Sequence, residues 1–317
     1  MSCTKSNDTS SEITPTNPTN PNVIKTGETI AGNKGQGSAA NQFSNPMGIF
    51  LDTQGNIYVV DNSNNRVQKW IPGSFVGITV AGGNGKGSAA NQLNSPTEIY
   101  VNASGNIFIA DNGNHRIQKW APGATNGINI TESNFTTMNQ PNGMFIDFSG
   151  NIFLSDILKH SIQKWTPGAK IGITVAGGNG KGAAANQFYQ PGGVFVDAIG
   201  NIYVADELNN RIQKWTPGST NGITVAGGNG FGSSSNQLSN PTDLYVDGLG
   251  NIYIADNGNH RIQKWTPGAK IGITVAGGNG KGAAANQLNF PKNLVVNSLG
   301  EIYISDTYNH RIQKWKQ

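Results

Sequence analysis

The chain has 317 residues, of which 36% are apolar and 13% charged, and its 22 basic against 18 acidic side chains leave a formal net charge of +4. That is enough chain to bury a full core, and too thin a positive coat to imply a polyanion partner. No apolar run approaches the roughly 18 residues of a membrane helix, collagen and heptad periods are missing, and the single cysteine, Cys3, excludes an internal disulfide or a cysteine-built zinc site.

The chain opens on a polar stretch. Residues 4–22 (TKSNDTSSEITPTNPTNPN) hold almost nothing apolar, so they cannot offset the entropy of ordering. A flexible tether over 1–22 and a folded domain over 23–317 are expected. No secretory apolar region follows Met1, which as written predicts a cytoplasmic chain. Cys3 points the other way. Ser-Cys followed by a polar tether looks like the mature start of a bacterial lipoprotein whose signal peptide has been removed. Lipid on Cys3 is therefore expected to hold the protein at the cell envelope, or the chain is secreted, with the cytoplasm as the alternative.

From residue 23 onward one unit recurs. Trp70, Trp120, Trp165, Trp215, Trp265 and Trp315 are spaced 50, 45, 50, 50 and 50 apart, and Pro46, Pro96, Pro141, Pro191, Pro241 and Pro291 keep the same spacing. Residues 163–187 and 263–287 are identical. Each unit holds four short runs rich in Ile, Val, Tyr, Phe or Trp, bounded by turn residues. In the first unit they fall at 48–52, 56–61, 66–70 and 77–81. No segment has a helical period. Four short antiparallel strands, repeated six times, predict an all-β, six-bladed β-propeller. Strands apolar on consecutive residues fit blades that bury both faces.

The last unit stops at Trp315, after its third strand. Residues 27–37 (GETIAGNKGQG) match 77–87 (GITVAGGNGKG) of the first unit. The segment around 23–33 is therefore expected to supply the missing outer strand, pairing with 311–315 and closing the ring.

The string G-N-I-Y-V-A-D-x-x-N-x-R-I-Q, which stands at 200–213 and recurs at 250–263 with Ile254 for Val, resembles the NHL repeat. Close variants occupy the other four units. The resemblance covers nearly the whole chain from residue 23 and implies a propeller. It does not single out a function, because NHL-like propellers include protein-binding scaffolds, RNA binders, extracellular sensor domains and a few enzymes. The kelch repeat has a similar period, but its double glycine follows an inner strand, whereas Gly82-Gly83 follows a fourth strand.

Residues present in every unit read as structure. Asp61, Asp111, Asp156, Asp206, Asp256 and Asp306 end the second strand, and Arg66, Arg116, Arg211, Arg261 and Arg311 open the third, with Ser161 in the remaining unit. Such a pair can bridge its hairpin or reach a neighbouring blade. His115, His160, His260 and His310 share one hairpin position, held by Asn65 and Asn210 elsewhere; they sit at different azimuths and cannot converge on a metal. The glycine-rich loops lack the order of a phosphate loop. The tryptophans are expected to pack between blades.

Function is expected where the copies differ. The positions after each proline read Met47-Gly48, Thr97-Glu98, Asn142-Gly143, Gly192-Gly193, Thr242-Asp243 and Lys292-Asn293. Glu98 and Asp243, from opposite blades, should face each other at the channel mouth, with Lys292 and Asn293 beside Asp243. Such carboxylates suit a cation or acid–base work, or they are solvated rim charges. The third unit is the second departure: the loop at 131–138 is shortened, and its hairpin carries Ile157 and Leu158 where siblings are polar. Leu208 and Tyr308 depart in the same way. Apolar residues at such tips suit a protein contact or reflect drift between copies.

The reading this supports is a non-enzymatic binding scaffold for a protein or glycan ligand, contacting Ile157, Leu158, Tyr308 and the channel-mouth residues. The alternative is a metal-dependent hydrolase or lyase of the gluconolactonase-like propeller type, to which Glu98, Asp243 and Asn293 are the nearest matches. No cofactor is expected, a calcium ion at the mouth being the one exception. Nucleic acid is not an expected partner, and a closed ring predicts a monomer.

Overall fold

Runs such as Ile57–Asp61 (IYVVD) are dense in β-branched and aromatic side chains and end at glycine, asparagine or proline, so they fold as strands. The structure, a computed structural model, describes residues 25–131 and 138–317. The tether, Cys3 and most of the rewritten loop at 131–138 lie outside the described residues. In the first blade Pro46–Leu51, Ile57–Asp61, Arg66–Trp70 and Ile78–Gly82 pair antiparallel in that order. The described residues form six such four-stranded sheets. Their inner strands, Pro46–Leu51, Glu98–Val101, Pro141–Ile146, Pro191–Val196, Pro241–Val246 and Pro291–Val296, mark blades 1 to 6. Each touches the next and the sixth touches the first. The chain is thus a closed six-bladed β-propeller.

Closure follows the sequence argument. Gly27–Ala31 pairs antiparallel with Arg311–Trp315, Gly27 opposite Trp315, and completes blade 6. Strand direction then fixes two faces. The loops between blades and the hairpins joining second to third strands lie on the upper face. The turns joining first to second and third to fourth strands lie on the lower face, where the N-terminal chain enters at Gly27.

The core lies between blades. Tyr58, Val60 and Val67 of blade 1 pack against Ile99, Val101, Ile109 and Trp120 of blade 2, and the other interfaces repeat this pattern. Sheets buried on both faces need apolar side chains on consecutive residues, which is why Ile57–Asp61 is buried throughout. The six tryptophans are buried in these interfaces. Burying an aromatic side chain contributes about 2–3 kcal/mol.

Candidate functional site: the upper mouth of the channel

Each second-to-third hairpin is built as a clamp. In five blades the arginine Nε donates to the aspartate Oδ2 at 2.6–2.7 Å. Asp61 Oδ1 accepts the Ser44 N–H at 2.7 Å, and Arg116 holds the carbonyls of Ser88, Ala89 and Gln92. Burial raises these aspartates, and their hydrogen bonds and the guanidinium oppose that rise. The clamp fixes the loop that delivers the next inner strand. Blade 3 has Ser161 in place of the arginine, and the loop whose carbonyls that arginine would hold is the shortened one.

The histidines have a role that their hairpin position alone did not disclose. His115, His160, His260 and His310 take left-handed φ values of 51–54°. Each Nδ1 accepts a backbone N–H from the following blade: Gln140 at 3.3 Å, Gln190 at 3.2 Å, Phe290 at 3.2 Å and Asn45 at 3.1 Å. Asn65 and Asn210 accept from Ser95 and Asn240 through Oδ1. An imidazole accepting at Nδ1 is neutral, with its proton on Nε2. Burial lowers His160, His260 and His310. A companion stitch comes from the first hairpin residue: Asn62, Asn112 and Asn257 donate to the proline carbonyl of the next blade, as does Thr307 to Pro46. Ile157 and Glu207 are the two exceptions at that position.

Inside this collar Glu98, Asp243, Lys292 and Asn293 line one cavity of about 40 Å³, together with Glu207 and the glycines of the inner strands. That volume holds a water molecule or a small ion. The two carboxylates are not solvated rim charges: Glu98 is 8% exposed and Asp243 7%. Neighbouring glycines make the room. A Cβ on Gly48 would strike Glu98 Oε1, and one on Gly193 would strike Asp243 Oδ1.

Several polar side chains at the mouth bond across blades. Asn293 Nδ2 donates to Glu98 Oε2 at 2.8 Å, while its Oδ1 accepts the Ile49 N–H at 3.1 Å, so it ties blade 6 to blades 1 and 2. Glu98 Oε1 accepts the Ile99 N–H at 2.9 Å, and Asp243 Oδ2 accepts the Leu294 N–H of blade 6 at 3.1 Å. Burial, and then the charge of Asp243, push Glu98 well above the usual carboxylate range. Burial pushes Asp243 up to about 7. Glu207 is raised by burial against the opposing pull of the Lys292 ammonium.

Burial disfavours the charged form of both carboxyls, and several of the oxygens are already turned to N–H donors, whereas a calcium ion takes 6–8 oxygens. The Asn293 carbonyl faces a backbone N–H, and its amide nitrogen faces Glu98. Among the described residues no cluster of three or more His, Cys, Asp or Glu side chains is placed to hold a metal.

The apolar candidates stand apart from the mouth. Leu158 is 47% exposed on the blade 3 hairpin, and Ile157 beside it is half-buried, its N–H donating to the Gln140 carbonyl. Tyr308 is 52% exposed in blade 6, its ring 5.2 Å from Phe290. Blades 3 and 6 are opposite each other, so these residues do not form one patch. Sequence reasoning missed Glu207 and the exposed Phe231. Each had a signal: Glu207 replaces a hairpin asparagine, and Phe231 replaces the lysine of Lys86, Lys181 and Lys281. A larger open groove, about 1260 Å³, lies on the lower side along blades 1 and 2, past Phe50 and Tyr100.

Comparison with known proteins bears on the fold. Residues 43–70, 93–120, 238–265 and 288–315 match the NHL repeat. No curated protein sequence matches the chain. Among solved structures, an auxiliary nutrient binding protein from Bacteroides thetaiotaomicron is 15% identical with a TM-score of 0.66, covering 86% of this chain and 69% of that one. A gluconolactonase from Xanthomonas campestris is 12% identical with a TM-score of 0.65, covering 96% and 99%. Virginiamycin B lyase from Staphylococcus aureus is 12% identical with a TM-score of 0.57, covering 88% and 97%. Identities this low carry the fold and leave the activity to the site. Four stretches that match the NHL repeat, in register with six four-stranded blades, make this chain a six-bladed β-propeller that carries NHL repeats.

Proposed function

We propose that the protein is a non-enzymatic binding scaffold of the cell envelope, held there by lipid on Cys3, whose upper face engages a protein or glycan ligand. The observation that carries this reading is the commitment of the channel mouth. Glu98, Asp243 and Asn293 are consumed in bonds that join blades, around a cavity of about 40 Å³. Small-molecule pockets run to roughly 300–1,000 Å³. On the upper face a ligand then meets the rim: the hairpins with Leu158 and Tyr308, the loop with Phe231, and the Lys292 ammonium. The likeness to a nutrient binding protein supports the same reading. Capture of envelope components on immobilised protein tests it. The I157S/L158S and Y308A variants are expected to lose the captured ligand, and unchanged capture by both removes these hairpins from the site.

The gluconolactonase-like reading remains as a second proposal, favoured by two facing carboxylates in one cavity. It requires a divalent cation at Glu98 and Asp243. Calcium titration by calorimetry with wild type and D243N decides it: saturable binding lost in the variant supports it, and no heat in either defeats it.

A further inference from the structure

The most exposed apolar side chains gather on the lower face. The turns between first and second strands present Phe148, Ile199, Leu249 and Leu299 in blades 3 to 6, each between 78% and 104% exposed. The same turns in blades 1 and 2 read Thr53-Gln54 and Ala103-Ser104. The apolar tips of these turns thus form a crescent over four consecutive blades, and Phe75, 81% exposed on the third-to-fourth turn of blade 1, adds a further apolar side chain to the same face. Ile199, Leu249 and Leu299 hold the same position of equivalent turns, so ring symmetry sets them at one height, with Phe148 one position earlier in its turn.

These tips are held rigidly. Asp197, Asp247 and Asn297 accept the N–H groups of Ile199, Leu249 and Leu299 at 3.0–3.2 Å, and Asp147 accepts that of Ser149 beside Phe148. Asp147, Asp197 and Asp247 thereby turn an oxygen toward backbone donors, while Glu28 and Glu301 on the same face lie 3.7 Å from the Lys314 ammonium. Other lysines of this face lie outside those pairs. Lys170 and Lys270 stand exposed on the neighbouring turns of blades 3 and 5. Lys164, Lys214 and Lys264 lie behind the crescent, over the rings of Phe153, Tyr203 and Tyr253 at 5.1–5.3 Å. The N-terminal chain also enters on this face, at Gly27.

We propose that the lower face docks on an anionic lipid bilayer, with Phe148, Ile199, Leu249 and Leu299 entering the headgroup–acyl boundary and the flanking lysines meeting lipid phosphates. A set of separated apolar tips on one face fits a fluid surface, which needs no matching pocket, and lysines near an anionic leaflet add attraction. Gly27, where the outer strand of blade 6 begins, then faces the membrane, and the upper loops face away from it. The inference stands apart from the ligand proposed for the upper face.

Co-sedimentation of the full, unacylated chain with phosphatidylglycerol–phosphatidylcholine vesicles tests it. The wild type is expected to bind, and binding should weaken several-fold between low and high salt. The F148S/I199S/L249S/L299S variant should lose at least about tenfold in partitioning. K170E/K270E should lose less, and only on anionic vesicles. No sedimentation of the wild type overturns the proposal, as does binding unchanged in the quadruple variant. Self-association abolished by the same four changes, without vesicle binding, assigns the face to a second copy and also overturns it. Because Cys3 carries no lipid in this assay, failure here leaves the proposed lipid attachment standing.

Discussion

Replacing Asp243 with asparagine tests how the channel mouth is held. The Asp243 carboxyl is buried, accepts the Leu294 N–H at 3.1 Å, and is pushed by burial from its ordinary 3.8 up to about 7. Each pH unit of such a difference is worth about 1.4 kcal/mol, so ionised Asp243 at about pH 8 costs on the order of 4 kcal/mol of folding stability. The sign follows from the folded value lying above the unfolded one. The contribution is fully present below the unfolded value and is lost as the pH rises through about 7. Asparagine keeps an oxygen for Leu294 and carries no charge, but it brings an NH₂ that needs a partner. Subtracting about 1–3 kcal/mol for that leaves D243N more stable than wild type by about 1–3 kcal/mol at about pH 8 and less stable than wild type at about pH 4, where only the cost of the NH₂ remains. Urea unfolding followed by tryptophan fluorescence at the two pH values measures both. A variant less stable at the higher pH, or a difference that does not change with pH, would refute the reasoning and show the carboxylate ionised against a bound cation.

Acid acts in the opposite sense through the histidines. Their folded values lie below the ordinary 6.5, so stability should fall as the pH drops below 6.5. H160N/H260N/H310N, which installs the acceptor already used at Asn65 and Asn210, should flatten that loss in thermal melts run from about pH 7 to about pH 5. Gly143→Ala places a Cβ 2.6 Å from the Gly192 carbonyl oxygen. It should cost about 1–3 kcal/mol or more by urea unfolding, because two backbones must separate. Deleting residues through Ala31 strips the outer strand from Arg311–Trp315. The exposed edge should lower the melting temperature and produce aggregates on size exclusion, whereas a deletion ending at residue 22 should do neither.

Much of the fold was legible because a propeller is a local pattern repeated. The tryptophan and proline spacings set the number of blades, and the match of 27–37 to 77–87 located the closing strand. The strand limits expected in blade 1 shift by at most two residues, since turns at Asp52–Asn56 and Asn62–Asn65 confine them. The site was less legible. That Glu98, Asp243, Lys292 and Asn293 line one mouth follows from the ring; that the carboxylates are buried does not. Their burial depends on the absence of Cβ atoms at Gly48 and Gly193 in the adjoining blades, a relation between strands of different blades that no single repeat contains. The interchange of histidine and asparagine was visible as a pattern, but its meaning depends on which N–H of the next blade lies within reach.

By itself the sequence determined the strands, the sixfold ring and its interlocked ends, because apolar spacing and turn chemistry act over a few residues and are copied in each unit. The tertiary structure alone decided which polar groups are spent joining blades, which carboxyls are driven toward protonation, and which apolar side chains share a face. Those properties depend on groups brought together across the ring from distant positions, 195 residues apart in the Asn293–Glu98 bond and 265 in the bond from Asn45 to His310.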